Sequence, residues 1–336
     1  MITDIIQKLV DRDNLSEIEA RHAMEELMAG RATDAQVAGF LTSLRMKGET
    51  ASELATFARV MRERAEPFWP GEPVAVLDTC GTGGDRSGTF NISTAAAFVV
   101  AGAGIKVAKH GNRSATSKCG SADVMEALGI DIQMPADRLR QAITEIGIGF
   151  LFAPRYHSSI KHVMPARSQL AFRTVFNVIG PLSNPALPRY QVVGVFSMMV
   201  IDLVARALQD LGTEHALVIH GNDGVDEISI SAPSTIRELK NGEIRSYTVC
   251  PEDFGMFSVA VEKIRGGDAA TNAAIIESIF RGEGGPKRDV VLLNAGAAIV
   301  AAGMTESLAE GIRVSEQSID SGAALKKLQS LRDLSK

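Results

Sequence analysis

Four stretches of the chain gather residue types that chemistry needs. The first, "DTCGTGGDRSGTFNIST" from Asp78 to Thr94, sets Gly81, Gly83, Gly84 and Gly88 between an apolar run and the start of a helix-like segment. Glycines in such a loop let backbone N–H groups converge on an anion, and a helix N-terminus adds a favourable dipole. Phosphate is the expected guest. Neither common nucleotide fingerprint is present: Gly81 and Gly83 lack the third glycine of the dinucleotide pattern, and no Gly-Lys-Ser/Thr closes the loop. On residue types alone, a flexible turn with Asn91 or Ser93 capping a helix fits as well.

The second stretch, "KHGNRSATSKCGSADVMEALG", follows another apolar run and leads into a helix. Lys109 and Arg113 are cationic donors there, and Ser114, Thr116 and Ser117 add hydroxyls suited to phosphate oxygens. Two such loops on neighbouring strand ends would grip one polyphosphate. In the third, "HGNDGVDEIS", adjacent Asp226 and Glu227 offer hard oxygens to Mg²⁺, which keeps several waters and also binds substrate phosphates. An acidic pair by itself is more commonly surface charge. The fourth, "RYHSSIKHVMPARSQLAFRTVFNVIGPLSNP", carries Arg155, Arg167 and Arg173, each a candidate to fork onto a carboxylate or to pair with a helix acid. Residue types do not choose among the three.

The elements that must position these loops are legible in outline. The first 65 or so residues hold three capping boxes, Ser16 with Glu19, Thr33 with Gln36 and Thr50 with Glu53, each followed by apolar residues at helical spacing. They predict a small helical unit whose apolar stripes pack on the larger domain or on a second copy of the chain. After the turn-rich "EPFWPGEP", short apolar runs alternate with helical segments. The expected strands are Val74–Asp78, Ile105–Ala108, Ile148–Phe152, Tyr190–Phe196, Ala216–His220 and Val290–Leu293. The expected helices include Ser93–Ala103, Ala122–Leu128, Ala136–Ile146, Ile201–Leu211 and Ala269–Ile279. Asn241-Gly242 signals a hairpin. The expected fold class is therefore α/β, a mainly parallel central sheet flanked by helices, with a small all-helical N-terminal domain. The domains expected are residues 1–70, with helices from about 160–185 as candidates to join them, and 71–336.

A chain of 336 residues exceeds the usual single-domain size. Its formal charge of -5 gives no basic footprint for nucleic acid, so a small metabolite is the expected partner. Cys80, Cys119 and Cys250 are odd in number and lack metal-ligand spacing, which predicts a reduced, cytoplasmic setting. No signal peptide is read at the amino terminus, and no apolar stretch is long enough to span a bilayer.

Taken in order and spacing, "GTGGD", "TFNIST", "KHGNR", "GSADVMEALG", "FRTVFNVIGPLSNP" and "DE" resemble the anthranilate phosphoribosyltransferases of tryptophan biosynthesis along nearly the whole chain. The resemblance implies transfer of a phosphoribosyl group from phosphoribosyl pyrophosphate to the amine of anthranilate, with Mg²⁺, two ions per monomer, in a homodimer. By motif position, Gly81, Gly84, Asp85, Thr89, Asn91, Ile92, Ser93 and Thr94 resemble the family's contacts to phosphoribosyl pyrophosphate. So do Lys109, His110, Gly111, Asn112, Arg113, Ser114, Ala115, Thr116 and Ser117, with Ser121 beyond them. Ser93 and Glu227 resemble ligands of one Mg²⁺, and Asp226 with Glu227 those of a second. Gly81, Asn112 and Arg167 resemble the anthranilate contacts, with His110, Tyr156 and His157 lining that pocket. Lys109, His110 and Arg167 are then the expected catalytic residues, His110 as acceptor of the amine's proton. Cys119 departs from the hydroxyl or small residue of many relatives. Two alternatives remain at this stage: a pyrimidine nucleoside phosphorylase-like enzyme, which has a Gly-rich phosphate loop but no acidic metal pair, and a non-catalytic phosphometabolite-binding protein.

Overall fold

The computed structural model describes residues 2–114 and 118–336. The chain opens with four helices, α1 (Ile2–Val10), α2 (Glu17–Met28), α3 (Asp34–Lys47) and α4 (Ala51–Arg64). All three expected capping boxes form: the side chains of Ser16, Thr33 and Thr50 accept the N–H of Glu19, Gln36 and Glu53, whose side chains reach back to the cap. Glu53 does more than cap. Fully buried, it accepts from Leu15 N at 2.8 Å, Thr50 N at 2.8 Å and Lys47 Nζ at 2.9 Å, tying the ends of three helices to one carboxylate.

A seven-stranded sheet follows: β1 (Leu77–Asp78), β2 (Val107–Gly111), β3 (Ile148–Phe152), β4 (Tyr190–Gly194), β5 (His215–Gly221), β6 (Ser234–Lys240) and β7 (Glu243–Val249). Its order is β3-β2-β1-β4-β5-β6-β7, parallel through β5 and antiparallel beyond. The β6–β7 hairpin turns at Asn241-Gly242, with φ of 52° and 80°, the positive pair that a two-residue turn requires. The helices between and after the strands are α5 (Ile92–Gly102), α6 (Ser121–Ala127), α7 (Ala136–Gln141), α8 (Ala153–Tyr156), α9 (Met164–Leu170), α10 (Met198–Asp210), α11 (Ala269–Phe280), α12 (Pro286–Ala301), α13 (Leu308–Asp320) and α14 (Ala323–Ser335).

Two cores sit on opposite faces of the sheet. One packs α5, α12, α13 and α14 on one face, with Phe98, Phe150 and Phe280 among its largest members. The other joins α1–α4 to Val163, Ala166, Val175, Ile179 and Leu182, to α10 and to Val193, Val195, Ala216 and Val218 of the sheet. The expected strand Val290–Leu293 is instead the middle of α12. Every residue from Val290 to Ala301 is buried, so its apolar run carries no periodicity to separate helix from strand. The first strand is shorter than expected, since only Leu77 and Asp78 pair with neighbours. Among the described residues, no helix is long and apolar enough to cross a membrane.

The strand order decides where a site can form. The chain runs outward from β1 to β3, then returns to place β4 on the other side of β1. The loops after β1 and β4 therefore leave in opposite directions, and a crevice opens at their carboxyl ends, the usual binding position of open α/β sheets. The Gly-rich stretch follows β1, the Lys-His stretch ends β2, and the acidic pair follows β5.

Candidate active site

The Gly-rich loop is docked on its surroundings through its backbone. Thr82 N donates to Gly194 O at 2.8 Å, Phe196 N to Thr82 Oγ1 at 3.2 Å, and Gly83 N to the Asp226 carboxylate at 2.7 Å. Arg173 donates to Gly84 O while its guanidinium stacks 4.1 Å over the Phe196 ring. Gly83 and Gly84 have φ of 64° and 77°, conformations that L side chains rarely adopt. Gly194, at the end of β4, has no alternative: a Cβ there would fall 1.5 Å from Asp226 O.

Beside this loop Lys109 is buried, its Nζ 3.0 Å from Thr79 O, 3.2 Å from Thr79 Oγ1 and 3.3 Å from Ser93 Oγ. Its charge acts on the buried carboxylate of Asp78 and the half-buried one of Glu227. Burial, then repulsion from Asp85, pushes Asp226 up to about 7. Burial and repulsion from Asp226 raise Glu227 well above the carboxylate range, with Lys109 opposing. Asp78 is pushed up to about 6 by burial, against Lys109 and the amide of Asn184, which donates at 2.8 Å. A desolvated spot with more carboxylate than ammonium is a place for a cation. Among the described residues, no three or more His, Cys, Asp and Glu side chains gather into a metal-holding group. Two carboxylates and the Ser93 hydroxyl leave the remaining positions to water and substrate oxygens, the donor set Mg²⁺ favours.

Around the second loop, Ala115, Thr116 and Ser117 lie outside the described residues. Gly111 is fixed by packing, because a Cβ would meet Ser121 Oγ at 2.3 Å and the Phe150 ring at 2.6 Å. Asn112 O accepts from Ala122 N and Ser121 Oγ, holding the loop on α6. Arg113 forks onto Glu126 at 2.6 and 2.8 Å and also pairs with Asp123, on the surface. Ser114 N donates to Asp123 at 3.2 Å. Asn91 stands at the N-cap of α5 without capping it: its amide donates to Cys119 O and accepts from Asn272 at 2.9 Å, joining the two loops to α11. Asp85 accepts from Ser87 N and Oγ, and Ser87 Oγ lies 3.2 Å from Thr89 Oγ1. Ile92 is packed in the core, and Thr94 Oγ1 is buried without a partner.

A second wall lies towards the helical core. His110 Nδ1 is 3.2 Å from Gly180 O, a carbonyl that accepts, so the proton sits on Nδ1 and Nε2 is a bare lone pair without a partner. The His157 ring is 5.4 Å away, and its Nε2 and the Tyr156 hydroxyl are also buried and unpartnered. Burial takes His110 down to about 3 and His157 to about 4. An imidazole that low stays neutral at pH 7 and is a poor place to leave a proton. His110 therefore suits the wall of the site better than the proton-acceptor role expected for it.

The three open arginines also separate. Arg155 donates to Gln133 O at 2.6 Å and Arg173 to Gly84 O. Arg167, on α9, lies 4.9 Å over the Phe176 ring and otherwise meets only Met164 Sδ at 3.8 Å, with burial depressing its pKa. Among the described residues it has no carboxylate partner. The structure thus gathers Gly81, Gly84, Asp85, Ser93, Lys109, Asp226 and Glu227 at the crevice. Thr79, Asn184 and Gly194 were missed at the sequence level, where no composition signal marks a residue whose importance lies in a contact distant in the chain, and Arg173, a candidate there for a carboxylate, instead holds Gly84 O.

Comparison with known proteins agrees with this geometry. The model of the glycosyl transferase family a/b domain matches residues 74–325, and that of the glycosyl transferase family helical bundle domain matches residues 3–65. The anthranilate phosphoribosyltransferase of Symbiobacterium thermophilum is 52% identical over 98% of this chain and 96% of its own length. That of Syntrophobacter fumaroxidans is 50% identical over 98% of each chain. The crystal structure of the Thermus thermophilus anthranilate phosphoribosyltransferase superposes with a TM-score of 0.92 at 42% identity over 98% of both chains. The Saccharomyces cerevisiae enzyme in complex with PRPP and Mg superposes at 0.90 and 27% identity, over 99% of this chain and 97% of that one.

Proposed function

The chain belongs to the anthranilate phosphoribosyltransferase family, and on that premise we propose that it moves the 5-phosphoribosyl group of phosphoribosyl pyrophosphate onto the amine of anthranilate, releasing pyrophosphate, in tryptophan biosynthesis. The observation that carries this reading is the crevice itself, where a Gly-rich loop is hydrogen-bonded directly to Asp226 of a half-buried carboxylate pair beside a buried lysine. A phosphate loop alone fits many reactions; a phosphate loop fused to a cation site fits an activated diphosphate.

The roles follow from position. Gly81 to Asp85 with Asn91 to Thr94 admit the diphosphate and ribose, the backbone N–H groups at the start of α5 facing negative charge. Asp226, Glu227 and the Ser93 hydroxyl fit Mg²⁺, one or two ions per monomer, which when bound neutralises charge accumulating on the departing pyrophosphate. Lys109 orients Ser93 Oγ and Thr79 and offsets the repulsion among the carboxylates. Asn112 borders the ribose and phosphate. Arg167 forks onto the anthranilate carboxylate and aligns the amine behind C1, a placement worth about 7 kcal/mol or more when two reactants are held in line. His110, Tyr156 and His157 back the acceptor passage, where the Nε2 of His110 is buried and has no partner among the described residues. The amine is already neutral at pH 7, so attack needs no prior deprotonation.

The proposal extends to a homodimer in the cytoplasm. The first three helices each leave one large apolar side chain outside, Val10 (59% exposed), Ile18 (69%) and Met46 (69%), surface that a second copy would cover. The reaction is tested by phosphorus NMR. Pyrophosphate should appear only when anthranilate and Mg²⁺ are both present, without consumption of inorganic phosphate; phosphate-dependent cleavage of a pyrimidine nucleoside would overturn the reading.

A further inference from the structure

Asp226 and Glu227 lie in a segment without strand partners, between β5 and β6, where two half-buried like charges would push apart. Their backbone is clamped from two sides. On one side Gly194 allows Asp226 O to lie where a side chain would otherwise stand. On the other, Asn294 of α12, 2% exposed, treats Ile228 as a strand would: its Oδ1 accepts from Ile228 N at 2.8 Å, and its Nδ2 donates to Ile228 O at 3.0 Å. The second Nδ2 hydrogen donates to Val290 O at 2.9 Å, one turn earlier on the same helix, which fixes the amide's orientation. Ile228 is itself buried, so without Asn294 its two backbone groups would have neither water nor protein to pair with. Asn294 also lines, with Ser93 and Glu227, the small cavity at the foot of the crevice.

We propose that Asn294 is a positioning residue for the cation site: by pairing with both backbone groups of the residue that follows Glu227, it sets the direction in which the Glu227 carboxylate faces Ser93. The inference rests on the reading that Asp226 and Glu227 hold Mg²⁺. It assigns a task to α12, an element that otherwise only fills the core.

The test is calorimetric titration of phosphoribosyl pyrophosphate into the purified protein at graded Mg²⁺, without turnover. Asn294→Ala should raise the Mg²⁺ concentration that half-saturates binding by roughly tenfold or more, the usual effect of removing a partner that orients a metal ligand. Asn294→Ser, which keeps one hydroxyl for Ile228, should move it less. Ile299→Ala, a cavity in the same helix, should lower the melting temperature and leave the Mg²⁺ midpoint unchanged. Glu227→Gln should shift the midpoint at least as far as Asn294→Ala. If Glu227→Gln shifts it and Asn294→Ala behaves like Ile299→Ala, the inference is overturned while the acidic-pair reading stands. If Glu227→Gln leaves it unmoved, that reading fails and takes the inference with it. Should Asn294→Ala not fold, the Ser variant carries the comparison, and an unshifted midpoint in it overturns the proposal.

Discussion

Arg167 holds a positive charge in a half-dry position with no acid among the described residues to balance it, an arrangement that costs stability unless a ligand supplies the counter-charge. Arg167→Ala should therefore raise the KM for anthranilate by about 10- to 100-fold, the worth of a charge-assisted hydrogen bond, while leaving the KM for phosphoribosyl pyrophosphate within a few-fold. Equal effects on both would remove Arg167 from the carboxylate. The histidines make a different prediction. In the folded chain His110 and His157 stay neutral until pH falls to about 3 and about 4. Unfolded, they take up protons below about 6.5. Acid thus favours the unfolded state, so their contribution to stability is complete above pH 6.5 and is lost as pH falls towards 4. Calorimetric melting should drop over that window, less steeply in His110→Asn with His157→Asn; an unchanged slope would contradict their burial as neutral rings. Residue types were readable from the sequence, including Lys109 and the acidic pair. Whether a side chain has a partner was not, and that is what separates Arg167 from Arg155 and Arg173.

At the scale of elements, local chemistry was the legible part. Capping boxes are written within four residues, and all three form where the spacing puts them. What spacing did not reveal is the second duty of Glu53, whose carboxylate closes a buried pair with Lys47 and takes the N–H of Leu15, 38 residues away. Glu53→Ala leaves a buried ammonium without its carboxylate, held only by Asn14 Oδ1 and Gly48 O, and two amides unpaired. It should cost about 3–5 kcal/mol by denaturant unfolding, the usual penalty for breaking one side of a buried pair; a loss below about 1 kcal/mol would place the residue among surface caps. The misread of Val290–Leu293 has the opposite cause. A helix buried on every side has no polar face to reveal its period, and its β-branched residues read as strand. Gly194 illustrates a third limit, since its need for no side chain arises from Asp226, which arrives from the loop between β5 and β6.

Over the whole molecule, alternation of apolar runs with helices pointed to a mostly parallel sheet, but strand order is a property of long-range pairing. That order, with β1 beside both β2 and β4, is what turns three separate loops into one crevice. The same holds for association: exposed Val10, Ile18 and Met46 acquire meaning only on the assembled surface. Light scattering should give about twice the 35.8 kDa chain mass, and Ile18→Lys with Met46→Lys should halve it. A monomeric wild type would contradict the dimer. The central claim, that this crevice joins anthranilate to an activated ribose with the help of a divalent cation, is tested most directly by the fluorescence of anthranilate itself. It should disappear on adding the purified protein, phosphoribosyl pyrophosphate and Mg²⁺ together, and persist when any one is omitted. Fluorescence that persists with all three present, or decays equally without phosphoribosyl pyrophosphate, would contradict the account.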